Sequence, residues 1–411
     1  MNYELFIAKR IIAAKQYKSS ISSPIIKIAI TAIALGIIIM LISIATGVGL
    51  QKKIKEKISG FNGHIQISNY EENNSKVTVN PISIEQTFYP NFTTVEGIKN
   101  VQSYASKAGI IRTEKDFEGI ILKGVNVDYD WSFFKTYLIE GQVLEITGEV
   151  SNEVLISKMT ADRLGLSLGA EFNTFFVKDD PTKAPNARRF TVIGIYNSGF
   201  KEFDENYIIG DIKQIQRLNK WEANQIGGFE ILLDDFDALQ QKGDEIYNSI
   251  PNTLNAETIS EKYPAIFEWL DLFDTNIIVI VAIMILIAGI NMITALLVLI
   301  LERTQMIGIL KALGNTNWSI RKIFLYNAGY LIAIGLFFGN VIGIGILLAQ
   351  KYLGFIQLNP ETYYVSQAPV YLDINYILLL NVGTLVLCLT MLLIPSYIVS
   401  KISPVKAIKF D

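Results

Sequence analysis

The sequence predicts an integral membrane α-helical protein with four transmembrane helices and a large extracytoplasmic mixed α/β domain inserted between helices 1 and 2. Three observations carry that prediction. Half of the 411 residues are hydrophobic, and they are gathered rather than scattered. Residues 28–50, 276–301, 323–350 and 374–400 contain no charged side chain. Each run reaches the roughly 20 residues, at about 1.5 Å rise per residue, that cross a bilayer core. The long stretch between the first two runs alternates apolar and polar residues, as a folded soluble domain does.

In chain order the predicted pieces are an amphipathic cytoplasmic helix at 1–24, a first span at 25–50, the α/β domain at 51–275 and a second span at 276–301. A short cytoplasmic helix at 302–322, a third span at 323–350, an outer loop at 351–373, a fourth span at 374–400 and a cytoplasmic tail at 401–411 complete the chain. The first run is too long and begins too late for a cleavable signal peptide, and no small-residue cleavage site follows it.

Orientation follows from charge. Lys9, Arg10, Lys15, Lys18 and Lys27 precede the charge-free run of the first span; Arg303, Lys311, Arg321 and Lys322 lie between the second and third; Lys401, Lys406 and Lys409 follow the fourth. The 351–373 segment carries only Lys351 near its membrane end. The positive-inside rule places both termini and the 302–322 segment in the cytoplasm. Residues 51–275 then face outward. "YELFIAKRIIAAKQYK" is basic and amphipathic, which suits a helix along the inner leaflet.

Within the inserted domain "HIQIS", "EGIILKGV", "EVLIS", "RFTVIGIY" and "FEILL" read as strands, and "SKMTADRLGLSLG" and "DIKQIQRLN" as short helices. Helical spacing continues past both flanking spans. Leu50, Ile54 and Ile58 share one face, as do Ile266, Trp269, Leu270 and Phe273. These extensions read as stalks carrying the domain or as interfacial helices.

Several chemistries are excluded. There is no G-x-x-x-x-G-K-[ST] loop, so this chain is not expected to hydrolyse nucleotide itself, and no G-x-S-x-G elbow. The single histidine, His64, and single cysteine, Cys388, supply neither a zinc site nor a disulfide, and His64 opens a strand. The spans carry no charge for a proton relay. Asn291 and Thr294, in the second span, are expected to hydrogen-bond between helices.

The informative interruption is "LERTQMIGILKALGNTNWSIRK". Met306, Ile309, Leu310 and Leu313 recur at i, i+3, i+4 and i+7, while Glu302, Arg303, Gln305 and Lys311 are polar. Gly314 suits a helix stop, and Asn315 or Asn317 a cap for the next helix. Spacing alone leaves two readings open: a docking element for a cytosolic partner, or a helix lying on lipid headgroups.

"ERTQMIGILKALGNTNWSIRKIF" resembles the segment between the second and third spans of the mechanotransmission (MacB/FtsX-like) ABC transporter permeases. "FIAKRII", "GLQKKIKEKISGFNGHIQIS", "GQVL" with "EVLISKMTADRLGLSLG", and "PSYIVSKISPVKAIKFD" extend the resemblance over nearly the whole chain. The first-span exit and "FTVIGIYNSGFKEFDENYIIG" are most similar to the lipoprotein-releasing permeases of LolC/LolE type. The short segment ahead of the first span, where macrolide-exporting relatives carry a fused ATPase, and the large outer domain favour the same subgroup.

The resemblance implies a permease that extracts acylated lipoproteins from a bacterial inner membrane and passes them to a periplasmic carrier. It implies two copies of a partner ATPase carrying ATP and Mg, a second permease copy or paralogue, membrane lipids around the spans, and no cofactor or nucleic acid on this chain. Glu302, Arg303, Thr304, Met306, Gly308, Ile309, Leu310, Lys311, Leu313 and Gly314 would form the ATPase-coupling helix. Met40, Ile44, Val48, Ile277 and Val281 would line an apolar cleft between protomers, unless they are ordinary packing or lipid-facing residues. "KDDPTKAPNARRF" falls where one paired relative carries a carrier-recruiting hook, which makes Pro181, Pro185, Arg188 and Arg189 candidates for a carrier-docking loop. The competing functions are export of peptides or amphiphiles from the periplasm and transmembrane control of a cell-wall hydrolase.

Overall fold

A computed structural model describes residues 3–13, 22–71, 79–113, 116–178, 182 and 184–403. Its helices are α1 (Tyr3–Ala13), α2 (Ser22–Asn62), α3 (Ser132–Tyr137), α4 (Lys158–Leu164), α5 (Lys201–Asn206), α6 (Ile212–Asn219), α7 (Leu239–Ser249), α8 (Ile259–Lys262), α9 (Pro264–Glu302), α10 (Thr304–Ala312), α11 (Asn317–Leu353), α12 (Pro360–Tyr363), α13 (Ile374–Leu392) and α14 (Ile398–Lys401). Its strands are β1 (Ile65–Asn69), β2 (Ile82–Ser83), β3 (Ile98–Arg112), β4 (Phe117–Val125), β5 (Leu138–Gly141), β6 (Glu153–Ser157), β7 (Glu171–Phe176), β8 (Asn186–Tyr196), β9 (Tyr207–Asp211), β10 (Gln225–Ile226), β11 (Gly228–Leu233) and β12 (Leu254–Thr258). The chain divides into a helical unit, Met1–Gln51 with Leu270–Ile356 and Ala368–Asp411, and an α/β unit, Lys52–Trp269 with Gln357–Gln367. The class predicted from the sequence is the one observed.

Four helices among the described residues are long and apolar enough to span a membrane: Pro24–Asn62, Pro264–Glu302, Asn317–Leu353 and Ile374–Lys401. In the helical unit α2 and α11 pack closely because α11 presents a glycine stripe. A Cβ at Gly335 would come within 2.8 Å of Ile33, one at Gly339 within 2.8 Å of Ala34 O and Ile37, and one at Gly343 within 3.1 Å of Leu41. Small residues at every fourth position let two backbones approach where water drives nothing together. Asn340 and Asn381 cross-link α11 and α13, each Nδ2 donating to the other's Oδ1 at 2.6 and 3.0 Å. Among the described residues Asn291 and Thr294 do not bridge helices, contrary to expectation. They donate to carbonyls of their own helix, Ile287 and Ile290, at 3.0 and 3.2 Å, the local alternative open to short polar side chains.

Helix α1 turns one face inward. Ala8 and Ile11 are buried, Asn315 Nδ2 donates to Tyr3 OH at 2.9 Å, and Ser319 Oγ donates to Glu4 at 3.2 Å. Leu5, Phe6, Lys9 and Arg10 are exposed on the opposite side. Residues 14–21 of the expected N-terminal helix, and Lys406 and Lys409 of the tail, lie outside the described residues.

The α/β unit is built on one ten-stranded sheet in the order β12-β1-β11-β3-β4-β9-β6-β8-β5, with β7 pairing both β3 and β8. The path β3–β4–β9–β6–β8–β7 therefore returns to β3, and six strands close into a ring. Its apolar filling includes Leu122, Val154, Ile156, Phe172, Phe176, Phe190 and Ile208. Local signals set the short helices. Ser157 Oγ accepts from Thr160 N at the start of α4, and Gly165 ends that helix in the left-handed region; Asp211 caps α6 through Lys213 N. The five sequence runs read as strands lie in β1, β4, β6, β8 and β11.

Candidate functional site

The interruption between α9 and α11 is a separate nine-residue helix. Glu302 ends α9, Arg303 makes the turn at φ −104° and ψ 22°, and α10 ends where Gly314 takes φ +88°. Thr304 Oγ1 donates to Leu301 O at 2.6 Å. Thr316, rather than Asn315 or Asn317, caps α11 by accepting from Ser319 N at 3.2 Å. The apolar stripe is split: Leu310 is buried as expected, Met306 packs partly inward, and Ile307 and Gly308 complete the inner face. Ile309 and Leu313, expected beside Leu310, are 51% and 77% exposed, and with Glu302, Gln305 and Ala312 they make the outer face. Lys311 does not reach outward. Its ammonium donates to the carbonyls of Val399, Ser400 and Ile402 at 2.8, 3.3 and 2.8 Å.

Of the five cleft candidates, Met40 is corrected: it is fully buried in the helical core, because a helix apolar on every side does not announce which face turns inward. Ile277 lies against Gly47, where a Cβ would meet its Cδ1 at 2.6 Å. Ile44 and Val281 pack partly on the core, and Val48 is half-buried. Ile44, Val48, Ile277 and Val281 thus fall along the stretch where α2 and α9 run together.

Pro181 lies outside the described residues. Pro185 borders a cleft of about 610 Å³ formed with Ile110, Arg112, Phe117 and Phe175. Arg188 and Arg189 are not loop residues. They belong to β8 and face Thr174 and Asn173 of β7 across an antiparallel hairpin, with Arg189 3.5 Å from Glu171.

An aromatic column that sequence reasoning missed runs through the α/β unit. Phe61, near the end of α2, stacks on Phe203 at 4.2 Å; Phe203 stacks on Phe200 at 4.4 Å; Phe200 stacks on Tyr364 at 4.6 Å. Trp269 meets Tyr364 edge-on at 5.8 Å. The quoted "NSGFKEFDENY" stretch builds the middle of this column. Asp204 accepts from Ser198 Oγ at 2.7 Å and Gly199 N at 2.9 Å, which closes the turn presenting Phe200. Burial raises the Asp204 carboxyl above its usual range against those hydrogen bonds. Lys57 donates to Ser198 O at 2.5 Å and Tyr364 O at 2.9 Å. Recurring aromatics in "SGFKEF" and "PETYYV" were the available signal, but without periodicity they did not read as partners.

A four-helix membrane bundle with an α/β domain spliced between its first and second helices defines a polytopic membrane subunit. The FtsX-like permease C-terminal model matches residues 278–404, and the MacB-like periplasmic core domain model matches residues 28–247, over half of the chain. The chain belongs to the MacB/FtsX-like family of ABC transporter permeases. It is 22% identical over 430 residues to the lipoprotein-releasing system transmembrane protein LolC of Neisseria meningitidis serogroup B, covering 99% of both chains. It is also 22% identical over 428 residues to LolE of the same system in Haemophilus influenzae, again covering 99% of both. Among solved structures, the periplasmic region of MacB from Actinobacillus actinomycetemcomitans matches at 15% identity with a TM-score of 0.34, covering 51% of this chain and 95% of that one.

Proposed function

We propose that this protein is the permease subunit of an ABC transporter that extracts acylated lipoproteins from the inner membrane and delivers them to a periplasmic carrier. The observation that carries the reading is the end-to-end match to lipoprotein-releasing permeases, which covers 99% of this chain and 99% of each of theirs. Both termini and α10 are cytoplasmic and the α/β unit periplasmic, a reading supported by the Lys and Arg distribution. Two ATPase subunits bearing ATP and Mg dock on α10 through Glu302, Ile309 and Leu313, and a second permease copy or paralogue completes the transporter. The α2–α9 stretch around Ile44, Val48, Ile277 and Val281 receives the acyl chains. Each buried methylene holds a lipoprotein by about 0.8 kcal/mol, so a multiply acylated protein leaves only when work is done on it. Pro185 and the β7–β8 hairpin receive the carrier.

The test is to purify the chain with its ATPase in mild detergent and identify the copurifying species by mass spectrometry. Acylated lipoproteins that depart on ATP addition support the reading. A complex that hydrolyses ATP and never carries one overturns it, in favour of amphiphile export or control of a hydrolase. Glu302→Lys, Ile309→Asp and Leu313→Asp, all on the exposed face, are expected to lose ATPase binding without loss of fold.

A further inference from the structure

The segment joining α11 to α13 does more than reverse the chain. Residues Gln357–Gln367 belong to the α/β unit, although both their flanks belong to the helical unit. The buried side chain of Gln350 gathers the neck of the segment: Nε2 donates to Ile356 O and Ala368 O at 3.2 and 3.0 Å, and Oε1 accepts from Ile356 N at 2.8 Å. Above the neck, Leu358 N donates to Ser366 O at 3.0 Å and Gln357 bridges Gln367.

Tyr364 is the working end of this segment. Its backbone sits at φ +58°, a conformation that an L-residue with a side chain keeps only where the surroundings hold it. Its ring stacks on Phe200 of the domain and takes the edge of Trp269 from α9, while its carbonyl accepts from Lys57 of α2. One residue thus touches the domain and the domain-side portions of both long helices.

We infer that Tyr364 is a positioning residue. It makes 357–367 a strap that binds the ends of α2 and α9 to the domain, so that a displacement of either helix reaches the domain as one movement. The coupling consequence rests on the transport reading above; the strap itself does not.

Amide hydrogen exchange on the full chain in detergent separates the two. Tyr364→Ala and Tyr364→Gly are expected to speed exchange about tenfold, the scale of losing stacked aromatic contacts, both in 357–367 and in 52–62 and 264–269. The glycine variant keeps the carbonyl and tolerates the positive φ, so it isolates the ring. Tyr364→Phe should match the parent chain. Loosening confined to 357–367, or a glycine variant that exchanges like the parent, overturns the strap. With the ATPase subunit present, Tyr364→Ala should keep ATP hydrolysis within twofold while lipoprotein released per ATP falls about tenfold, and Tyr364→Phe should restore it. A variant complex that releases as much per ATP as the parent overturns the coupling role. A parent complex that hydrolyses ATP and releases nothing overturns the transport reading alone, and the exchange pattern still decides the strap.

Discussion

Lys311 Nζ lies 2.8 Å from the carbonyl oxygen of Val399, so the one lysine of α10 is spent on the last helix of the bundle. Val399, Ser400 and Ile402 present carbonyls that helix geometry leaves without intrahelical donors, and an ammonium there satisfies them and meets the negative end of the helix dipole. Partial burial lowers the lysine pKa from its ordinary value. Lys311→Met is expected to cost about 1–2 kcal/mol, the scale of charged hydrogen bonds whose acceptors can turn to water instead. Lys311→Arg should recover part of it. Denaturant melts followed by tryptophan fluorescence check this; a Met variant as stable as the parent would show the contact to be idle.

The glycine stripe of α11 makes a second prediction. Gly339→Val drives a side chain into Ala34 O and Ile37 and should destabilise the helical unit by about 1–3 kcal/mol. Gly345, with nothing within 4 Å of a built Cβ, is the control, and Gly345→Ala should be neutral or slightly stabilising. Equal losses at both positions would mean helix propensity, not close approach, is being measured.

A third concerns the buried pair Lys123 and Glu230, 2.8 Å apart with side chains 2% and 1% exposed. Gln102 also donates to Glu230 at 2.9 Å, and Lys123 donates to the carbonyl of Phe61 at the end of α2. Lys123→Met strands a buried carboxylate and should cost about 3–5 kcal/mol. Adding Glu230→Gln should return a substantial part, giving a coupling energy above roughly 1 kcal/mol in a double-mutant cycle. Additive losses would remove the ion pair from the account.

The fourth is a pH dependence. His64 Nδ1 accepts from Leu233 N at 3.1 Å, which requires that nitrogen to be unprotonated. Burial, then nearby Lys99, lowers its pKa from 6.5 to about 4. The folded pKa is below the unfolded one, so the unfolded chain binds the extra proton between those values. The contribution is fully present above pH 6.5 and lost as pH falls toward 4, amounting to roughly 3 kcal/mol. His64→Asn keeps an acceptor and removes the titration. The parent's thermal stability relative to the Asn variant should fall as pH drops through that window; a difference that stays constant would refute the assignment.

Much of this architecture was legible because the signals were strong and local. Charge-free runs marked the four long helices, and the helical spacing of "SKMTADRLGLSLG" and "DIKQIQRLN" marked two of the short ones. The long strand β3 was not read, since Ser103, Ser106 and Lys107 look solvent-facing and are buried only because strands pair along both its edges. In α10 the period was right and the phase was not: with Met306, Ile307, Ile309, Leu310 and Leu313 spread around the helix, the inner face is chosen by neighbouring helices. Met40 failed for the same reason. Tyr364 lies in a segment without periodicity, and its partners are more than ninety residues away along the chain.

The closed circuit of β3, β4, β9, β6, β8 and β7 bears on toughness. A strand at the margin of an open sheet can be unzipped one hydrogen bond at a time, because its outer side is held by nothing. In a hoop each strand is laddered to a neighbour on either hand, so prising one loose means shearing two ladders together. A domain built around such a hoop therefore resists being opened strand by strand.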